Sequence, residues 1–450
     1  MLSSRLPKDL TPSPFFAELE RAKADVLAEC ANADALPFID MTVSSPVKAG
    51  LPVDLDDVVD EGRKAFGNWN PDAAGWKSAR EAVVEYYRER GGNFTAGQII
   101  LTASTSEAYS VLFKTFCDPG DVILTPMPGY PLLDTLAQLE HLECAPYFLK
   151  IRRENARRRA TDERRESAKF RFVLDSDSLL AAPEKAKILL LVSPHNPTGH
   201  CISREEWNEA VRFCEENDMI LVVDEVFGDY AFSDKVSRTW QYVLDERTLA
   251  GSLQTRDESA DVILDPGVPS AIGEGIWDAG GGDFINLPEN GPKCPIFWLN
   301  GLSKAVGSPQ LKLGWMAFYA PRENFEEIRA ALEFVEDAYL SVSAPAQALG
   351  ISLLPKAAAY ESKVLDRLQQ NWQTLREAFP SKYCPEVLGG WYAVVRLGED
   401  DEELTLRLLR EKHVLVQPGF FFDFNEDGWV VMSLLQDPAI FKEAIDRIIK

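Results

Sequence analysis

The chain has 450 residues, with 47 Lys and Arg against 71 Asp and Glu, which gives a formal net charge of -24. Hydrophobic residues make up 46% and aromatic residues 10%, a composition that excludes intrinsically disordered, collagen-like and low-complexity proteins. The length predicts about two or three domains with a sizeable core. The acidic balance argues against a protein that binds duplex nucleic acid or an anionic membrane, because like charges repel.

Cysteine and histidine usage predicts a cytoplasmic protein without a metal centre. The seven cysteines are odd in number and form no CxxC motif, which is typical of reduced thiols rather than of a disulfide framework or a zinc site. Four histidines leave little scope for a His-rich metal site. The N-terminal residues lack the apolar segment of a signal peptide, and no run of about 18 apolar residues occurs in the chain.

Predicted helices and strands alternate along the first half of the chain. A polar arm over 1–14 precedes a helix over 15–31 and a short strand in ALPFIDMTVSSP. From Gly75 onward the predicted elements are KSAREAVVEYYRERGG, QIILTAS, STSEAYSVLFKTFC, DVILTP, PLLDTLAQLEH, KILLLVSP, REEWNEAVRFCEEND and MILVVDEV, with helices and strands in alternation. This pattern predicts a doubly wound, parallel α/β sheet whose functional residues gather at the carboxyl ends of the strands.

Two stretches interrupt the alternation. Residues 150–171 are dense in arginine, which is compatible with an anion or nucleic-acid patch, although the net charge favours a solvated insertion. Residues 245–295 are rich in Gly, Pro, Asp and Glu. They indicate a surface insertion, because no strand and helix flank the GGG to make a phosphate-binding loop. From about residue 325 the pattern predicts a smaller α+β domain.

Four segments carry side chains suited to catalysis, each with an ordinary structural alternative. In LTASTSEAYS, Ser104 and Glu107 form a capping box, and the same helix start offers backbone N–H groups to a phosphate. In SPHNPTG, a rigid turn either presents Asn196 to the sheet edge or uses it as a turn residue. Asp224 ends an apolar strand, where a carboxylate needs a cation unless it caps a helix. Lys304 lies in a Gly/Ser turn, although a lone lysine is usually solvated.

Six segments together carry a family resemblance. In chain order they are NWNPDAAG, LTASTSEAY, DPGDVILTPMPGYP, SPHNPTG, DEVFGDY and GLSKAVGSPQLKLGW. They resemble the fold-type-I pyridoxal-phosphate (PLP) enzymes of the class I/II aminotransferase group. The resemblance implies an α/β PLP-dependent transferase fold, with a mostly parallel seven-stranded sheet in a large domain plus a smaller α+β domain. It also implies a homodimer with shared active sites.

The same resemblance implies domain boundaries and residue roles. An N-terminal arm with part of the small domain would span 1–60, the large PLP-binding domain 61–322, and the small domain 323–450. Lys304 would bind pyridoxal 5'-phosphate covalently and shuttle the proton, and Asp224 would pair with the pyridine nitrogen. The other implied cofactor contacts are Asn196 at the ring hydroxyl, Tyr130 on the ring face, Thr105, Ser106, Ser303 and Lys312 at the phosphate, and Trp69 at the phosphate held by the partner subunit.

This chain departs from the family pattern around the cofactor. Phe227, another predicted cofactor contact, stands where a tyrosine commonly bonds the ring hydroxyl, and Gly301 stands where a serine often contacts the phosphate. Lys312 replaces an arginine, which keeps the charge but loses the bidentate fork. Trp69 replaces a tyrosine.

The largest departure concerns substrate recognition. The arginine that clamps the substrate α-carboxylate normally stands two positions before a serine, and Val431 occupies that place. Candidate replacements are Arg396, for which an exposed strand position is the alternative, and a backbone or amide donor near Gln417. Ser44 and Ser45 lie where the family places a substrate-contacting loop, and Ser45 is predicted to contact the substrate.

The function implied is a PLP-dependent aminotransferase that moves an amino group between an amino acid and a 2-oxo acid. Two alternatives stay open: a PLP-dependent carbon–sulfur β-lyase, which shares the early chemistry, and a non-catalytic PLP-binding regulatory protein. The presence of Lys304, Asp224 and Asn196 argues against the regulatory protein. The expected partners are the two substrates and a second copy of the chain, without metal, membrane or nucleic acid.

Overall fold

The computed structural model describes residues 3–7, 11, 13–31, 36–56, 58–154, 169–233, 235–244, 291–398 and 400–450. The larger parts of the two predicted insertions, at 155–168 and 245–290, lie outside the described residues. The strands, numbered in chain order, are β1 (Ile39–Asp40), β2 (Ile99–Thr102), β3 (Val122–Met127), β4 (Glu143–Glu154), β5 (Lys169–Leu174), β6 (Ala186–Val192), β7 (Ile220–Asp224), β8 (Ile296–Gly301), β9 (Gly314–Tyr319), β10 (Tyr392–Arg396), β11 (Val414–Leu415), β12 (Gln417–Pro418) and β13 (Trp429–Ser433).

Helices separate most of these strands, as the alternating pattern predicts. The described α-helices are Pro14–Glu29, Val59–Ala65, Lys77–Arg88, Thr105–Phe116, Leu132–Leu139, Ser176–Leu179, Arg204–Glu216, Gln241–Leu244, Leu302–Ala305, Phe325–Asp337, Ala344–Leu353, Ala357–Ala378, Asp401–Lys412 and Pro438–Ile449. Within the described part of the chain, no helix combines the length and apolar character needed to cross a membrane.

Strands β2 to β9 form one eight-stranded sheet in the order β2-β9-β8-β7-β6-β3-β4-β5. The pairs β4/β3, β3/β6, β6/β7 and β7/β8 are parallel. Strand β9 runs antiparallel to both of its neighbours, and β5 runs antiparallel to β4. The predicted α/β class and mostly parallel sheet are confirmed, whereas the predicted count of seven strands is one too few, because β5 adds an eighth.

Strand β5 begins inside the arginine-rich stretch 150–171, whose composition predicts a solvated insertion. Phe170 and Phe172 alternate with basic residues along the strand, and the Phe172 ring packs against Phe424 and Trp429. One face of the β4/β5 ribbon is therefore apolar although the stretch is strongly charged. A period of two over so few residues is a weak signal, and the surrounding arginines obscure it.

The core lies on both faces of the large sheet, because helices cover each face. Successive residues of a strand point to opposite faces of the sheet. The side chains of the central strands β6 and β7 therefore alternate between two hydrophobic clusters, one on each face. One cluster contains Leu189, Leu191, Leu221 and Val223, and the other contains Ile188, Leu190 and Val222. This two-sided burial explains why the central strands are apolar runs rather than alternating sequences.

The two ends of the chain meet outside the large sheet. Strand β1 pairs in parallel with β11, so that Ile39 lies opposite Val414. A separate antiparallel sheet has the order β10-β13-β12, and the helix Pro14–Glu29 packs on the helix Asp401–Lys412 through Val26 and Leu409. A small domain built from both ends of the chain, as predicted, would contain such contacts. Its boundaries near residues 60 and 322 stay a prediction.

A buried ionic network connects the helices to the loop that follows β7. The Asp229 carboxylate accepts hydrogen bonds from Tyr86, from Arg90 Nε at 3.0 Å and from Arg238 Nη2 at 2.5 Å. Arg90 also pairs with Glu361 at 2.6 Å. The two arginines hold the pKa of Asp229 well below its usual range, although burial works in the opposite direction.

We expect Asp229→Ala to lower the free energy of unfolding by about 3–5 kcal/mol, because it leaves two buried guanidinium groups without their shared anion. Urea titration followed by tryptophan fluorescence measures the loss. Asp446→Ala removes an exposed carboxylate that pairs with Lys442, and it serves as the control that should leave the unfolding midpoint in place. A midpoint for Asp229→Ala that matches this control would contradict the role assigned to the network.

Candidate active site

A cavity of about 710 Å³ lies at the carboxyl ends of the central strands. Asn196 follows β6, Asp224 ends β7 and Lys304 follows β8, so three neighbouring strands of the parallel sheet deliver these side chains to one edge. Nine of the predicted site residues line this cavity: Thr105, Ser106, Tyr130, Asn196, Asp224, Phe227, Ser303, Lys304 and Lys312. The topology therefore brings together segments that are distant in sequence.

Lys304 lies in the short helix Leu302–Ala305, directly after the buried strand β8. Its backbone carbonyl accepts a hydrogen bond from Tyr230 Oη at 2.6 Å. Its Nζ lies 4.6 Å from the ring centre of Trp391 and 5.2 Å from that of Phe227. Burial lowers the pKa of Lys304 to about 8, and the negative charge of Asp224 works in the opposite direction. A substantial share of this amine is therefore neutral near physiological pH, as a nucleophile or a base requires.

Asp224 faces the same cavity from the end of β7. It accepts hydrogen bonds from Tyr109 Oη at 2.6 Å and from the Val226 N–H at 3.0 Å. Burial nevertheless raises its pKa above the ordinary value, against the effect of those two donors and of Lys304. The carboxylate therefore carries its charge most readily when a cation lies beside it. Asp224 does not cap a helix, because the next helical turn is the 3₁₀ turn Gly228–Tyr230, which Phe227 precedes.

Asn196 is held in the turn between β6 and the helix Arg204–Glu216. The His195 N–H donates to the His200 carbonyl at 2.7 Å, and the Gly199 N–H donates to the His195 carbonyl at 2.8 Å. Gly199 has φ +67°, and a Cβ there would lie 2.5 Å from the Val387 side chain, so the turn requires glycine. Asn196 is only 9% exposed, and its Oδ1 has no hydrogen-bond partner among the described groups. It is therefore more than a turn residue that bonds its own backbone.

The start of the helix Thr105–Phe116 forms the far wall of the cavity. Ser104 Oγ accepts from the Glu107 N–H at 3.2 Å, which confirms the predicted cap. Glu107 Oε2 accepts from the Ala103 N–H at 2.5 Å rather than from that of Ser104. No hydrogen bond within the described structure uses the N–H groups of Thr105 or Ser106, which face the cavity at the positive end of the helix.

Ser303 and Lys312 complete this wall from the opposite side. Lys312 has φ +51° and makes no ion pair with any carboxylate in the described ranges. At Gly301, a Cβ would lie 2.9 Å from the Gly314 Cα and 3.1 Å from the Leu313 carbonyl oxygen. The close approach of β8 and β9 therefore excludes the serine that the family often carries at this position.

An aromatic wall separates Lys304 from the small antiparallel sheet. The Phe227 ring is buried and packs edge-on against Trp391 and Tyr392, with ring centres 5.4 and 6.0 Å away. Tyr392 lines the cavity, and burial raises its pKa to about 12, while a hydrogen bond with Ser44 works against that rise. Phe227 therefore lines the cavity beside Lys304 and has no hydroxyl to offer.

Three predicted site residues lie outside the cavity. Arg396 forms an ion pair with Glu426 at 2.5 Å and stacks over Trp429 at 5.9 Å, so the structure does not place it as a carboxylate clamp. Ser45 lies in a turn, and its neighbour Ser44 lines the cavity instead. Trp69 is 81% exposed and lines a separate hollow of about 80 Å³.

Two residues with direct roles in the geometry, Tyr109 and Tyr392, are not identified from the sequence. Tyr109 is visible only as an apolar position on a helix, and its bond to Asp224 depends on how that helix packs across the sheet edge. Tyr392 begins an apolar strand and shows no motif. The sequence analysis names Gln417 only as marking a region that could supply a hydrogen-bond donor, and the Gln417 side chain lines the cavity. Among the described residues, no cluster of three or more His, Cys, Asp or Glu side chains could hold a metal ion.

We expect Lys304 in the cofactor-free protein to titrate with a midpoint near pH 8. Asp224→Asn should lower this midpoint, because it removes the negative charge that stabilises the ammonium form. Competitive labelling with acetic anhydride over a pH series, quantified on the Lys304 peptide by mass spectrometry, measures both values. Asp446→Asn, which changes an exposed carboxylate on the last helix, is the matched control. A midpoint that rises in Asp224→Asn would show that the two groups do not interact as described.

Comparison with known proteins agrees with this geometry. A family model described as aminotransferase class I and II matches residues 48–448. A tyrosine aminotransferase from Caenorhabditis elegans is 21% identical over 391 residues, which cover 85% of this chain and 70% of that protein. A glutamate-pyruvate aminotransferase from Haemophilus influenzae is 22% identical over 393 residues, which cover 84% of this chain and 81% of that protein.

Solved structures share the same fold. An alanine aminotransferase from Pyrococcus furiosus superposes with a TM-score of 0.70 at 21% identity, and the match covers 98% of both chains. Since the family model spans most of the sequence, the resemblance implied by the motifs is confirmed. The chain belongs to the class I and II aminotransferase family, and it is an aminotransferase.

Proposed function

We propose that this aminotransferase binds pyridoxal 5'-phosphate in the 710 Å³ cavity and moves an amino group between an amino acid and a 2-oxo acid. Enzymes of the class I and II family use this cofactor. The observation that carries the proposal is the convergence of Lys304, Asp224 and Asn196 from the ends of three adjacent strands.

The polar groups of the cavity fit the cofactor from one end to the other. The free N–H groups of Thr105 and Ser106, together with Lys312, suit a phosphate dianion. Lys304 and two hydrogen-bond donors offset the burial of the Asp224 carboxylate only in part, and a protonated pyridine nitrogen would supply a further cation. The side chain of Asn196, with its unpartnered amide oxygen, is available for a hydrogen bond at the ring hydroxyl.

Each residue of the chain then has a definite task in the reaction. The bound cofactor supplies an electron sink for the carbanion that forms when the donor loses its α-proton. Lys304 would provide the amine that holds the cofactor, and it would then accept the α-proton and return it. Its lowered pKa suits both tasks. Asp224 would stabilise a protonated ring nitrogen, and Tyr130, which lines the cavity, would contact the ring.

The test is to reduce the purified protein with borohydride and to map the modified lysine. We expect the cofactor on Lys304, and a screen of amino donors should convert the bound cofactor to its amine form, followed by absorbance. Lys304→Ala should abolish both results. Lys187 lies at the start of β6, away from the cavity, so Lys187→Ala should abolish neither. An adduct on another lysine would overturn the assignment. Release of a thiol and a 2-oxo acid from cysteine-like substrates, without conversion to the amine form, would favour the β-lyase.

We also propose that the enzyme is a homodimer in which Trp69 reaches the phosphate end of the partner's cavity. Trp69 is 81% exposed, and exposed aromatic side chains are enriched where one protein contacts another. Phe66 and Phe334 are similarly exposed, at 80% and 81%. A second copy would cover these surfaces. The free state of all seven cysteines further supports a reducing, cytoplasmic setting.

Mixed dimers test the shared site. Trp69→Ala should weaken cofactor binding, and Lys304→Ala should be inactive, so neither homodimer is fully active. After unfolding and refolding a mixture, a hybrid dimer has one site with Lys304 and Trp69 both intact, and activity should exceed that of either variant alone. Mixing Trp69→Ala with Asp224→Ala gives the same arrangement and should behave alike. Sedimentation that shows a monomer, or mixtures without recovery, would contradict the proposal.

A further inference from the structure

An aminotransferase must hold the α-carboxylate of its amino donor, and the described cavity offers no arginine for this task. Its two described cationic side chains are Lys304, which attaches the cofactor, and Lys312, which lies at the phosphate end. The remaining polar groups near the small antiparallel sheet are neutral. Recognition of the carboxylate therefore has to come from hydrogen-bond donors without a formal charge, at the place where the family uses a guanidinium group.

The register of the small sheet identifies the position of the missing clamp. Val431 on β13 lies directly opposite Val394 on β10 and Gln417 on β12. Directly opposed residues point to the same face of a sheet, so all three occupy the face to which the family's arginine would belong. Val431 and Val394 are fully buried in the core. Gln417, on the short outer strand, is half-buried and lines the cavity.

Two further donors stand at the same end of this face. Tyr392 precedes Val394 by two positions, so its side chain points the same way, and it lines the cavity together with Ser44. Arg396 follows Val394 by two positions and lies toward the other end of the strand. There it is occupied by Glu426. Tyr392, Ser44 and Gln417 therefore line the cavity, whereas Arg396, at the far end of the same strand face, does not.

We propose, resting on the function proposed above, that Gln417 donates through its side-chain amide to the α-carboxylate of the amino donor, with Tyr392 and Ser44 as neighbouring donors. Neutral donors bind a carboxylate more weakly than a bidentate arginine does. The rest of the binding must then come from the apolar part of the cavity, where Phe421 and Phe422 contribute their rings. The preferred donors are therefore amino acids with an apolar or aromatic side chain.

Binding of 3-phenylpropionate, a carboxylate without an amino group, tests this assignment by calorimetry on the holoenzyme. Gln417→Leu should weaken its binding about tenfold, because a hydrogen bond to a charged group is lost. Gln417→Arg should strengthen it by about tenfold or more, because it restores a charged fork. The neutral analogue 3-phenylpropanamide should respond to both changes by about threefold or less. Arg396→Leu is the control and should leave both dissociation constants unchanged.

The gain expected for Gln417→Arg keeps the test decisive even if Gln417→Leu folds poorly. Dissociation constants that do not move in either Gln417 variant, or a loss confined to Arg396→Leu, would overturn the role of Gln417. Absence of 3-phenylpropionate binding to the wild-type holoenzyme would overturn it as well. Failure of the proposed function is a separate result, since it would appear as a cofactor that no amino donor converts to its amine form, whatever the Gln417 variants bind.

Discussion

The charge balance between Asp224 and Lys304 is the constraint on which the site depends. Burial disfavours the charged form of each group, raising the pKa of the acid and lowering that of the amine to about 8. Within the described chain, Tyr109 and the Val226 N–H compensate Asp224 only in part. A cationic ring nitrogen beside Asp224 would satisfy the carboxylate and release Lys304 from its role as counter-ion. The chain thus holds a carboxylate whose burial is offset only in part and an amine whose pKa is lowered to about 8, a pair that would complement a protonated cofactor.

The sequence identifies the residues that line this cavity at the strand ends of the large sheet, but not those that line it from the small sheet, for a physical reason. Asn196, Asp224 and Lys304 follow three buried strands, and parallel strands bring their carboxyl ends to one edge, so local patterns suffice to bring them together. Tyr392, Ser44 and Gln417 come from a different sheet and a loop, and their convergence depends on register and packing that no local pattern records. The same limit explains why Arg396 is expected from the sequence to bind the substrate carboxylate, although it pairs with Glu426. In β5, the neighbouring basic residues obscure the short alternation of apolar side chains.

Two departures from the family pattern have structural causes in this chain. The backbone of Gly314 leaves no room for a side chain at position 301, so the missing serine follows from how closely β8 and β9 approach. Phe227 packs into a wall with Trp391 and Tyr392 that continues into the core below Lys304. The hydroxyl in that wall belongs to Tyr392, which lines the cavity together with Ser44. The polar groups of the wall therefore lie at the small antiparallel sheet, where the proposed carboxylate site is.

The buried ionic network also supports the backbone of Lys304. Asp229, fixed by Arg90 and Arg238, directly precedes Tyr230, and Tyr230 Oη bonds the carbonyl of Lys304. The network therefore reaches the lysine through one peptide bond and one hydrogen bond, which hold the Lys304 backbone while its side chain lies in the cavity. A lysine with the proposed role, which attaches a cofactor and then transfers a proton between two atoms, would need this combination, because a fixed backbone limits the volume that the amine explores and a free side chain lets it reach both positions.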